Sequence, residues 1–341
     1  MKYFTTLFLQ LLADLNTNLT TDKKPTTTND LSAEMKTYYD KSLIRYATPN
    51  LVHAQFAQKR PIPKNGGKTI EFRSFKPLAK ALNPLSEGVT PDGQKMDVTA
   101  FTATVDQYGA YITQSDVLEL TALDNTIVEA TKMLGNQAGL TMDTLVRDVM
   151  NSGNNVMFAP NGTTEVKSRS TLTANCKLTV DAVKRAVVKL KQQNAPKING
   201  SYIGIIHPDV AYDLSTDPAW EEWSKYTNPE HMYEGEIGRI YGVRFVESTE
   251  AKIWKDDTCP SGLAVFSTLI FGEGAYGTTE IEGGGLRTII KQKGSAGTAD
   301  PLDQRSTIGW KAITVSELLV PQYIVRVESC STVYSADAAA N

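Results

Sequence analysis

Two glycine-rich stretches hold residues whose types and spacing could bind a phosphate. Gly66-Gly67-Lys68-Thr69 ends like a phosphate-binding loop, in which backbone amides and a lysine cradle the anion. Such a loop needs a glycine five residues ahead of its Gly-Lys pair, and Ile62 stands there. It also needs a helix leaving the loop, with the helix N-terminus facing the anion. Instead Pro61 and Pro63 precede the glycines, and Ile70 and Phe72 then alternate with Glu71 and Arg73 as in a strand. Asn65-Gly66 is a strong short turn signal, so these glycines are expected to turn a hairpin. Gly272, Gly274 and Gly277 match G-x-G-x-x-G after the apolar run "LAVFSTLIF". The residues that follow, "TTEIEGGGLRT", alternate and carry three more glycines where a dinucleotide site would open a helix. This stretch reads as a glycine-rich loop.

Other reactive residues are no better placed. His207 ends the run "SYIGII", and Pro208 and Asp209 after it mark a helix start, so His207 is read as a structural residue near the cap. No G-x-S-x-G elbow accompanies it. His53 and His231 lie among polar residues. With Cys176, Cys259 and Cys330 the histidines show no ligand spacing, so no metal, cofactor or catalytic residue is expected. Trp220 and Trp223 share a face of a short helix beside Glu221 and Glu222, which favours packing over base stacking. An odd number of well-separated cysteines reads as free thiols in a reducing compartment.

Composition sets the frame. The chain has 341 residues, 41% hydrophobic and 21% charged, enough for one elaborate or two ordinary domains. A net charge of −3 argues against a dedicated nucleic-acid binder. No apolar run approaches the roughly 18–20 residues of a membrane span. The start, "MKYFTTLFLQLLADLN", lacks a convincing cleavage site and reads as an amphipathic arm through Leu7, Phe8, Leu11 and Leu12. Residues 17–34 are polar and Thr-rich, an extended linker, and a short helix is expected over residues 35–45.

The elements follow a mixed order. Phe101, Ala103 and Val105 alternate with Thr102 and Thr104, while the Pro- and Gly-rich "KPLAKALNPLSEGVTPDG" is long for a connection and so functional or outward-reaching. Ile127, Leu134, Ala138, Met142, Leu145 and Val149 form one stripe on a helix of about 28 residues, roughly 40 Å long. Asp124 is its expected cap and Gly153 its stop, and Gly135 and Gly139 weaken it unless something packs closely there. A second helix spans residues 179–194 with Val183, Val187 and Leu190 inward. Strands are expected over 202–206, 243–247, 263–271, 286–291 and 322–328. This is α+β, without the alternation of a doubly wound sheet.

One charge feature stands out. Lys59, Arg60, Lys64, Lys68, Arg73, Lys76 and Lys80 crowd a short stretch against Glu71 alone. It is either a solvated hairpin or a basic arm that docks on an acidic neighbouring surface.

Taken in order, "PIPKNGGKTIEFRSFKPL", "PLSEGVTPDG", "VDQYGAYITQSDVLEL", "EATKMLGNQAG", "GEIGRIYGVRFVES" and "GSAGTADPLDQRSTIGWK" resemble the major capsid proteins of tailed bacteriophages, in the family typified by coliphage N-four. The resemblance runs from about Tyr38 to Glu328. It implies the Hong Kong 97-like fold: an N-terminal arm over residues 1–57, an extended loop built as a β-hairpin over 58–107, and a peripheral domain over 108–164 and 291–341. That domain carries a spine helix at about 124–152, and residues 165–290 form the axial domain. It implies a virion protein without enzymatic activity, assembled in the bacterial cytoplasm into hexamers and pentamers of an icosahedral head. The head contains double-stranded DNA without sequence-specific binding. A portal, decoration proteins and a separate scaffolding protein are the implied partners, the last because no scaffolding segment is expected to have been removed ahead of Met1. On this reading the seven basic residues are contacts between subunits. Lys68 and Asn65 match, in residue type only, the covalent link some capsids of this fold make. The alternatives are an encapsulin-like compartment of the same fold and, resting on the two glycine stretches, a nucleotide-binding enzyme.

Overall fold

A computed structural model of the chain describes residues 43, 45–47, 51–75, 78–82, 84, 87–88, 90, 92–121, 126–220, 236–295 and 297–341. Its strands are β1 (Gln58–Lys59), β2 (Thr69–Phe75), β3 (Val98–Thr104), β4 (Asp106–Ser115), β5 (Val156–Phe158), β6 (Tyr202–Ile206) and β7 (Glu236–Ile240). They continue with β8 (Val243–Glu247), β9 (Ile253–Trp254), β10 (Val265–Phe271), β11 (Tyr276–Glu280), β12 (Arg287–Lys291), β13 (Arg305–Leu318) and β14 (Ile324–Ser329). The helices are α1 (Asp116–Thr121), α2 (Thr126–Asn151), α3 (Val180–Gln192) and α4 (Pro208–Ser215).

The chain divides into two compact units. One comprises residues 1–56, 106–147 and 280–314. Here β13 runs antiparallel to β12 on one side and to β4 on the other. Period-two alternation turns Ile308, Trp310 and Ala312 inward with Tyr108, Ala110, Ile112 and Ile290. They pack on Ala130, Leu134 and Ala138, one stripe of α2 at four-residue spacing, and on Leu43. Trp310 keeps its polar edge satisfied by donating Nε1–H to Gln137 Oε1 at 3.2 Å. The glycine in the middle of the helix has its reason here. A Cβ on Gly135 would stand 2.9 Å from the Leu43 carbonyl and 2.9 Å from Tyr46 Cβ, so only glycine lets that backbone approach.

The other unit comprises residues 57–105, 148–279 and 315–341. Its sheet follows the order β5-β14-β10-β6-β8-β7, with β9 added beside β10. All seven residues of β10 are buried, as befits a central strand covered on both faces. α3 packs on β14 and β10 through Val183, Ala186, Val187 and Leu190. Thr179 caps it by accepting from the Ala182 amide at 3.4 Å. The expected inward set of this helix and the strand at 202–206 are both present.

Three expectations need correction. The Asn65-Gly66-Gly67 turn does not close a hairpin: β1 before it pairs in parallel with β11, whereas β2 after it pairs with β3. A turn signal is local, but strand pairing is decided by which surfaces can be buried together. Along α2, Leu145 and Val149 are only half-buried, and the buried side turns instead to Asp143, Val146, Arg147 and Met150. Finally β13, fourteen residues long, and its partner β4 had not been anticipated as strands. The expected cap Asp124 and most of the helix at 35–45 lie outside the described residues.

Candidate functional site

The basic stretch divides into three settings. Lys59 lies in β1, aligned with Thr278 of β11, and the Arg60 amide donates to the Thr278 carbonyl at 3.2 Å. Lys64 and Lys68 flank the turn, where Asn65 (φ 68°) and Gly67 (φ 90°) take left-handed backbone and the Gly66 amide reaches the Pro63 carbonyl at 2.9 Å. Lys68 ends this turn, and its carbonyl accepts from the Val105 amide at 2.9 Å, closing the base of the β2–β3 pair. Both lysine side chains are exposed.

β2 and β3 form a two-stranded antiparallel sheet with Thr69 opposite Thr104 and Phe75 opposite Val98. One face is apolar: Phe72 stacks on Phe101, directly across, with ring centroids 5.8 Å apart, and Ile70 faces Ala103. The other face carries Glu71 and Arg73, two residues apart and therefore on the same side. Arg73 Nε sits 2.9 Å from Glu71 Oε1. The hydrogen bond and charge of Arg73 pull the Glu71 carboxyl below its usual range, and Glu71 raises Arg73 in return. Arg73 is thus already engaged. Lys80 is exposed in the connection, and Lys76 lies outside the described residues.

The seven cations are therefore not one patch, and Lys64 with Lys68 is the free pair that the turn brings together. Sequence reasoning missed a second feature of this loop. Leu78, Leu82, Met96 and Val98 are exposed by 57%, 80%, 63% and 47%. Recurring apolar residues inside a Pro- and Gly-rich connection were the signal that could have revealed them.

The remaining candidates among the described residues are held by contacts within the fold. His207 caps α4: its Nδ1 accepts from the Asp209 amide at 3.2 Å, and its ring lies 5.1 Å from that of Phe266. Burial pushes its pKa down, against the opposing pull of Asp209 and Glu250. His53 is not in polar surroundings but fully buried. Its amide donates to Asp143 Oδ1 at 2.7 Å, and its Nδ1 pairs with Oδ2 of the same carboxylate at 2.6 Å. His231 and Trp223 lie outside the described residues, and Trp220 packs edge-on against Phe245. Gly272 to Gly277 joins β10 to β11, strand to strand, so no helix N-terminus waits for a phosphate. Cys176 and Cys330 are buried in one cluster with Cys259 packed against it, and all three are free thiols. Burial, with Cys176 nearby, pushes the Cys330 thiol up to about 12. Among the described residues no group of His, Cys, Asp and Glu is arranged to hold a metal, and no helix is long and apolar enough to cross a membrane.

A β2–β3 pair that takes no third strand among the described residues, with exposed cations at its base and exposed apolar side chains beside it, is built to meet something else. Residues 52–268 match the profile of a family described as phage capsid protein. The chain belongs to the phage capsid protein family. Solved structures agree on the architecture. The capsid of Ralstonia phage GP4 superposes with a TM-score of 0.65 at 12% identity, covering 81% of this chain and 87% of that one. The capsid of cyanophage Pam1 gives 0.65 at 11%, covering 94% and 100%, and that of cyanophage P-SCSP1u gives 0.60 at 15%, covering 95% and 93%. No curated protein sequence matches. At such identities the likeness carries the fold alone, which is Hong Kong 97-like and α+β. The capsid protein is therefore a virion protein whose copies assemble into the shell of the phage head.

Proposed function

We propose that this capsid protein, of the type represented by coliphage N-four, closes an icosahedral head of hexamers and pentamers around double-stranded DNA and performs no catalysis. Residues 1–57 act as the arm, 58–107 as the extended loop, 108–164 and 291–341 as the peripheral domain and 165–290 as the axial domain. Assembly takes place in the host cytoplasm with a separate scaffolding protein, a portal and decoration proteins. The DNA is contained by the closed shell and not recognised by sequence.

The observation that carries this reading is the β2–β3 pair, whose strands take no third partner among the described residues and whose basic turn and apolar connection are exposed. An isolated two-stranded ribbon is marginal in water, so a loop of this kind gains its stability on a neighbouring surface. Lys59, Arg60, Lys64, Lys68, Arg73, Lys76 and Lys80 are its intersubunit candidates, and Lys64 and Lys68 lead because they are exposed and close the base. Charge steers and orients such docking more than it tightens it. The double variant Lys64→Glu/Lys68→Glu should leave the subunit folded, with unchanged circular dichroism, and sharply reduce the yield of shells in negative-stain microscopy. Normal shells from that variant would sink the assignment.

A further inference from the structure

The sheet formed by β4, β12 and β13 buries one face on α2, and its other face is basic. Side chains alternate along each strand, so the register fixes which residues share that outer face. Arg287, Lys291, Arg305 and Lys311 lie on it, and no acid occupies it over the paired stretch 305–314 of β13 and its partners. In a protein with a net charge of −3 this is a local excess against the average. Arg287 stands directly across from Lys311. Like charges opposed in a sheet destabilise it, a cost that a bound anion would relieve. The ion pairs found in this unit, among them Lys132 with Glu129, Lys293 with Glu119, Arg305 with Asp300 and His53 with Asp143, do not include Arg287, Lys291 or Lys311. Tyr111, 61% exposed, stands beside Gly309 in the register, and the surface between them is a shallow recess of about 560 Å³.

We propose that this outer sheet face is a contact surface for the phosphate backbone of duplex DNA. The inference rests on the shell reading, in which each subunit stands against a confined polyanion. Arg287 and Lys291, four residues apart on one strand, are separated by about 13 Å. Duplex DNA carries one negative charge per about 1.7 Å of axis, so a cationic face of this size meets several phosphates without reading sequence. The Tyr111 hydroxyl donates a hydrogen bond to a phosphate oxygen. An acidic protein segment fits less well, because protein partners need an apolar buried centre, whereas the apolar side chains of this face, Ile289, Ile313 and Tyr111, do not form one: Ile289 stands between Arg287 and Lys291, and Ile313 follows Lys311.

The test uses the full-length subunit before assembly and a fluorescent mixed-sequence duplex of about 20 base pairs, with poly-glutamate as a second probe. Wild-type binding should weaken as salt rises. The variant Arg287→Gln/Lys291→Gln/Lys311→Gln should bind about tenfold or more weakly at low salt, with a salt slope smaller by about three, one per lost contact. If the triple variant does not fold, Lys291→Gln alone should lower the slope by about one. Unchanged affinity and slope overturn the proposal, as does tight capture of poly-glutamate with no duplex binding. The two readings fail separately. Wild-type protein that binds duplex through these residues yet never forms shells overturns the shell reading alone, whereas shells from a variant with wild-type duplex affinity overturn this proposal alone.

Discussion

At the scale of single residues, the groups most suggestive of chemistry turn out to hold the fold. His207 is the clearest case. Its Nδ1 accepts the Asp209 amide at the start of α4, a role open only to the neutral ring. The same nitrogen lies 3.4 Å from the Asp209 carboxylate, which would favour a charged ring, but burial outweighs that pull and lowers the pKa from 6.5. The sign follows from proton binding. The unfolded chain takes up the proton first, so the cap's stabilisation is complete above about pH 6.5 and is lost as pH falls through the lower folded value. His207→Asn keeps a capping side chain without a titration. Thermal melts between about pH 5 and 7.5 should lose less stability toward acid in that variant than in the wild type. Parallel curves would show that the ring does not titrate in this window. The cap was legible in the sequence because it is local: a strand, then His, then Pro. The clasp between His53 and Asp143 was not, because its partners are 90 residues apart and neither type is expected inside a core.

At the scale of elements, α2 shows what periodicity can and cannot reveal. Its existence and length follow from a regular apolar stripe, and the demand for a close neighbour at Gly135 is met by Leu43 and Tyr46. Replacing Gly135 by Ala sets two effects against each other. Helix propensity gains about 1 kcal/mol. A new methyl 2.9 Å from a backbone carbonyl forces a shift that costs about 1–3 kcal/mol. The clash should win, so Gly135→Ala lowers the urea midpoint, while Asn136→Ala on the exposed side leaves it unchanged or slightly raised. A stabilised Gly135→Ala subunit would mean that the arm backbone is not held there. The lower half of the stripe misled because buried polar groups with partners look like surface residues in a sequence: Asp143 is held by His53, and Asn151 accepts from Ser267 Oγ at 2.6 Å. β13 escaped notice for a related reason. Its inward set mixes Trp310 with Ala312, its outward set includes Gly309 and Ile313, and the contrast between the faces is weak although the alternation is intact.

At the scale of the whole molecule, a subunit that folded only for itself would not leave large apolar side chains bare. Leu78, Leu82 and Met96 lie within one connection and Val98 opens β3 at its end, and a monomer gains nothing by exposing them. In a shell they have a use, because each large apolar side chain removed from water contributes about 1.5–3 kcal/mol to the contact that buries it. The two roles can be separated. Leu82→Ser/Met96→Ser removes side chains that touch little in the isolated subunit, so its melting temperature should hold, with a change in stability within about 0.5 kcal/mol. Assembly should suffer instead. Losing at least one such burial per contact raises the subunit concentration needed for shells by about tenfold or more, which light scattering across a dilution series reads directly. Raised salt should not restore it, since screening acts on charge and not on apolar contact, whereas the assembly defect of Lys64→Glu/Lys68→Glu should ease as salt shields the reversed charges. Wild-type assembly from the serine variant would place these side chains outside every intersubunit contact and leave the basic turn as the only docking element of the loop.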